Sequence, residues 1–165
     1  MKGRFALTTI AAASLAFGLG QEAGATSWFD YQQPPGQYTI GSTSNTNTTV
    51  LATVTVRCPA AGWLVAHAET QFGLYEGGAT DYSQVGYSIT RDTTAPYAYD
   101  STHYNYLKEY VPSGVYYSPA YIQRVDPCTA GATYTYRCVA WRVNAGAQTY
   151  AWQPTLYVDY YDRKI

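Results

Sequence analysis

Apolar and polar residues alternate along most of this chain with a period of two. Over 48–58, Val50, Ala52, Val54, Val56 and Cys58 fall on one side of an extended backbone, and Thr49, Leu51, Thr53, Thr55 and Arg57 on the other. That is the pattern of a half-buried strand. Pro59-Ala60-Ala61-Gly62 interrupts it as a turn. A second strand is predicted over 63–72, with Leu64, Ala66, Ala68 and Thr70 opposite Trp63, Val65, His67 and Glu69. Further strands are predicted over 84–91, 104–111, 115–125, 132–143 and 155–161. Their breaks fall at Pro112-Ser113-Gly114, Thr129-Ala130-Gly131 and Asn144-Ala145-Gly146. Tyr134, Tyr136, Cys138 and Ala140 share one face of the strand at 132–143. No long stretch repeats apolar residues at the i, i+3, i+4, i+7 spacing of a helix. Seven to ten strands so spaced predict an all-β, antiparallel β-sandwich.

The N-terminus breaks this pattern. Lys2 and Arg4 precede an apolar run from Phe5 to Leu19, and Ala23-Gly24-Ala25 has the small-x-small form of a cleavage site. Residues 1–25 therefore read as a secretory signal peptide. The run is about 15 residues, short of the ~20 that span a bilayer, so no membrane span is expected. Residues 26–47 are expected to hold an N-terminal strand and the polar Gly41–Asn47 loop, and 48–165 the β-sandwich domain. Charged residues make up 13% of the chain, about half the usual share, and the net charge is −1. That balance gives no footprint for nucleic acid. It leaves the sheet surfaces to Tyr, Thr and Val, as in proteins that associate with copies of themselves.

Three passages carry a resemblance. Val54-Thr55-Val56-Arg57-Cys58-Pro59-Ala60-Ala61-Gly62-Trp63-Leu64-Val65 reads as strand, Pro-x-x-Gly turn and aromatic strand. Ala130-Gly131-Ala132-Thr133-Tyr134-Thr135-Tyr136 and Pro154-Thr155-Leu156-Tyr157-Val158-Asp159-Tyr160-Tyr161 read as the penultimate and closing strands. Together, over about residues 48–161, they resemble the tumour-necrosis-factor-like jelly roll, and in particular complement-head-like modules of secreted bacterial proteins. The resemblance implies a jelly-roll sandwich, homo-oligomers such as trimers, and recognition of a ligand. No collagen-like repeat precedes the domain, and the Phe-Ser-Gly lead-in to the last strand is missing. In that topology Cys58 and Cys128 come to the same end of the sandwich. A Cys58–Cys128 disulfide is then expected, with three free thiols as the alternative. A tight hairpin at 129–131 would set Cys138 about 16 Å from a position opposite Cys128, beyond disulfide reach. Cys138 reads as a buried small apolar residue.

Catalytic chemistry is sparse. His67-Ala68-Glu69 has the H-x-E form of zinc deaminases, but Pro127-Cys128 lacks the second Cys that such a zinc site requires. His103 lies near Asp100, and Asp81, Asp92 and Asp100 match no calcium loop. No phosphate, dinucleotide or nucleophile-elbow motif occurs. No cofactor or metal is expected. Asn47-Thr48-Thr49 is a glycosylation sequon in form. Nine of the 19 tyrosines fall in 87–121, around the irregular stretch 92–103. Tyr offers apolar area with a hydroxyl at low entropic cost, so Tyr97, Tyr99, Tyr104 and Tyr106 are the binding candidates. The expected function is that of a secreted, extracellular or periplasmic, non-enzymatic module. It would contact a protein or glycan, or assemble with itself. The alternative is a secreted hydrolase or metal-dependent enzyme using His67, Glu69 and His103.

Overall fold

The computed structural model describes residues 29–32, 36–75, 83–96, 102–107, 115–143 and 148–163. The expected signal peptide, Tyr97 and Tyr99 lie outside them. The described residues form nine strands and no helix: β1 (Phe29–Gln32), β2 (Gln37–Thr39), β3 (Thr49–Arg57), β4 (Gly62–Tyr75), β5 (Ser83–Arg91), β6 (Thr102–Leu107), β7 (Val115–Cys128), β8 (Thr133–Arg142) and β9 (Gln148–Tyr161). One sheet has the order β1-β9-β4-β7, with β2 also on β9. The other has the order β3-β8-β5-β6. All pairs are antiparallel. From β2 onward each connection crosses between the sheets, except the β5–β6 hairpin. The fold is thus an all-β jelly-roll sandwich.

The predicted alternation builds the core. Val54 and Val56 of β3, Leu64, Ala66 and Phe72 of β4, Ile89 of β5 and Leu156 and Val158 of β9 meet between the sheets. Each large aliphatic or aromatic side chain so buried contributes roughly 1.5–3 kcal/mol. Two core tyrosines keep their hydroxyls satisfied. Tyr87 donates to the Tyr121 carbonyl at 2.8 Å, and Tyr136 donates to Asp126 Oδ2 at 3.1 Å. Burial pushes the Tyr87 phenol up to about 12.

Two interactions clip the sheets together at the β7 edge. Arg124 and Asp126 occupy inward positions of β7, opposite Ala66 and Leu64. Their bidentate pair measures 2.6 and 3.1 Å. Arg124 also donates to the Ile89 carbonyl at 3.1 Å, and Arg91 stands 3.5 Å from Asp126. The pair thereby ties β7 to β5 and β8 of the other sheet. Beside it, a Cys58–Cys128 disulfide joins the end of β3 to the end of β7, with Cα atoms 6.1 Å apart. Cys138 is free and buried, and burial pushes its thiol up to about 12.

Several local expectations are corrected. In β3 the register slips between Val50 and Ala52. This bulge turns Leu51 inward, at 2% exposure, and leaves Val50 38% exposed. The 129–131 turn is no tight hairpin: β7 and β8 belong to different sheets, so the turn arches between layers. Cys128 and Cys138 are separated by that crossing, not by hairpin register. β9 begins at Gln148 rather than 155, because a bulge accommodates Pro154 within the strand. β6 begins at Thr102, inside the stretch expected to be irregular. Asp92, with φ 59°, accepts from the Thr135 amide at 2.8 Å and pins that stretch to β8.

Replacing Asp126 by Ala strands the Arg124 charge in the interior. Urea unfolding with the disulfide intact is expected to show a loss of roughly 3–5 kcal/mol. A loss under ~1 kcal/mol, the scale of an exposed pair, would show that water already screens the clip. Peptide mapping without reduction is expected to recover Cys58 linked to Cys128. Cys138 should become reactive only after unfolding, and reduction should cost roughly 2–5 kcal/mol.

Candidate functional site: the outer face of the first sheet

β4 runs through the middle of its sheet, between β9 and β7. Its outward residues Trp63, Val65, His67, Glu69 and Gln71 stand beside Tyr161, Asp159, Tyr157, Thr155 and Trp152 of β9. On the other side stand Pro127, Val125, Gln123, Tyr121 and Pro119 of β7. Tyr117, Tyr121 and Val125 are exposed by 43%, 49% and 43%. The outer face of the second sheet differs in kind. There β3 and β8 present Thr53, Thr55, Arg57, Thr133, Thr135 and Arg137, while Trp141 lies buried over Gly86.

At the centre of the aromatic face, His67 is held on three sides. Its ring stacks on Tyr157 with centroids 4.7 Å apart, and Nδ1 lies 2.6 Å from the Tyr121 hydroxyl. Nε2 faces the Asp159 carboxylate at 3.8 Å. Burial holds the imidazole below its ordinary 6.5, against the opposing pull of Asp159 and Glu69.

Next to this cluster the sheet opens into a cleft of about 550 Å³. Glu69, Gln71, Pro119, Tyr121, Trp152, Gln153 and Thr155 are among its lining residues. The β9 bulge shapes it. Between Thr155 and Trp152 the chain gains one residue relative to β4, and Gln153 takes a left-handed φ of 43°. The Gln153 amide donates to the Gly36 carbonyl at 3.1 Å, and the Thr70 hydroxyl donates to the Trp152 carbonyl at 3.1 Å. Trp152 then lies across Gly73, where a Cβ would come within 2.9 Å of its indole nitrogen, and meets Tyr117 edge-on. The indole N–H is buried without a hydrogen-bond partner. An orphaned donor of that kind costs about 1–3 kcal/mol.

Of the residues expected to act, His67 and Glu69 do share this face. His103 stands on β6, in the other sheet, so the two histidines are not brought together. Tyr104 and Tyr106 also stand on β6, opposite Gly86 and Gln84. Among the described residues no group of three His, Cys, Asp or Glu side chains is placed to hold a metal ion. No helix among them is long and apolar enough to cross a membrane. Sequence reading missed Trp152, Gln71 and Tyr117. The signal available was Pro154 inside an alternating run, which marks a bulge. The cross-strand register that gathers these residues is not written in any single strand.

No protein-family description and no curated protein sequence matches the chain. Among solved structures, the VP2 subviral particle of infectious bursal disease virus is similar at 11% identity and TM-score 0.46, over 83% of this chain and 33% of that one. An arabinose-bound MgGH51 α-L-arabinofuranosidase is similar at 9% identity and TM-score 0.35, over 81% of this chain and 22% of that one. The chain thus spans about a third or less of these proteins. Nothing about function follows from likenesses at this level.

The lowered His67 value fixes the sign of a pH effect. Protonation favours the unfolded chain, so the stability His67 contributes is present above 6.5 and is lost as pH falls through its lower folded value. The melting temperature is expected to drop over that acid range, and His67→Gln should flatten the drop. An equal drop in the variant would assign the effect to other groups.

Proposed function

We propose that the chain is an exported, non-enzymatic jelly-roll module that acts by contact, and that copies of it associate through the outer face of the β1-β9-β4-β7 sheet. The observation that carries this reading is the contrast between the two outer faces. One is tiled with Trp63, Tyr121, Val125, Tyr157 and Tyr161. On the other sheet, the outer positions of β3 and β8 carry Thr53, Thr55, Arg57, Thr133, Thr135 and Arg137, and Trp141 there is buried. An exposed aromatic face with few charges is costly to leave in water and typically marks a contact surface. The resemblance to tumour-necrosis-factor-like and complement-head-like modules points the same way, since it implies a homo-oligomer, such as a trimer. Export is supported by the N-terminal pattern of residues 1–25 and by the Cys58–Cys128 bridge, since disulfides persist in oxidising compartments. The hydrolase alternative is weakened by the placement of His67 and His103 on different sheets.

Light scattering on the protein lacking residues 1–25, at micromolar concentration, is expected to give a multiple of one chain's mass, three by the resemblance. Val125→Glu, at the end of the face away from the cleft, should return it to a single chain with its strand signature intact. A wild-type mass of one chain would sink the reading.

A further inference from the structure

We propose that the cleft beside the β9 bulge is a binding subsite for a neutral saccharide. It centres on Glu69 and Gln71, four and six residues along β4 from Val65, the partner of Val125, and it shares Tyr121 with the face proposed for self-association.

The lining chemistry selects this ligand class. A sugar ring has apolar C–H faces and a rim of hydroxyls, each able to donate and accept. The cleft is lined by two aromatic side chains, Tyr121 of β7 and Trp152 of β9. A carboxylate, Glu69, two amides, Gln71 and Gln153, and a hydroxyl, Thr155, line it with them. Carboxylate and amide together supply both donors and acceptors for vicinal hydroxyls. Among the described residues no Lys or Arg lines the cleft, so a phosphate, sulfate or uronate group would meet Glu69 with none of them to neutralise it. The volume, about 550 Å³, lies within the ~300–1,000 Å³ of small-ligand sites.

Two independent departures from local rules converge on one wall. Gln153 is held in the left-handed region, and the Trp152 indole N–H is buried without a partner. The orphaned nitrogen is the atom that sits over Gly73. Such local costs concentrate where a surface is shaped to position a group. The bulge is the device that re-aims the strand there.

The test is a tryptophan-fluorescence titration of the whole exported protein. The probes are cellohexaose, xylohexaose, maltohexaose and chitohexaose, with a heparin hexasaccharide and trilysine as charged probes. At least one neutral probe is expected to bind. Trp152→Ala and Gln71→Ala should each weaken it by about tenfold or more, a change of about 1.4 kcal/mol per decade. Gln71 is exposed, so its variant keeps the test decisive if Trp152→Ala folds poorly. Val125→Glu stands outside the cleft and should bind at least as tightly as wild type, since a single chain leaves Tyr121 uncovered; its mass is read separately, so either result can fail without the other. No binding by any neutral probe overturns the proposal. So does equal affinity in Gln71→Ala, or binding of heparin or trilysine alone.

Discussion

Two sheets that cross between layers at nearly every connection need something to hold their free edges together, and here it is an ion pair set inside the sandwich. Arg124 and Asp126 point inward from β7, an edge strand of the first sheet, and reach Ile89, Arg91 and Tyr136 of the second. The same group gives the interior a fixed register. Leu64 and Ala66 must lie opposite Asp126 and Arg124, which fixes β4 against β7 and with it every outward neighbour of β4. The disulfide beside it ties the two sheets at one end, so the aromatic face rests on a framework closed at that end.

How far the fold was legible follows from where its information lies. Strand existence was written in the period-two alternation of 48–58, 63–72 and 132–143, and the sandwich followed. The Cys58–Cys128 bridge followed from topology, although the hairpin argument against Cys138 used a geometry the chain does not adopt. Boundaries failed where one residue changes phase. Leu51 in β3 and Gln153 in β9 each add a residue, and no residue type at 51 announces it.

The face itself was less legible. Clustering of Tyr in sequence drew attention to 87–121, yet Tyr87 is a core residue while Tyr121 is half exposed. Strand tyrosines serve either side of a sheet, and only register decides which. His67 met Tyr157 and Asp159 because β4 and β9, some 90 residues apart in the chain, are neighbours. The H-x-E spelling marked two residues that do share one outer face, where His67 stacks on Tyr157 and Glu69 stands beside Tyr121.

Gly73 and Trp152 illustrate how packing constrains a lineage. The indole occupies the space that a β-carbon at 73 would need. A larger residue at 73 is admissible only after 152 has shrunk, and a Trp at 152 only while 73 stays Gly. Related sequences should therefore change at the two positions together and in a fixed order, so that the intermediate with both large side chains is rarely met.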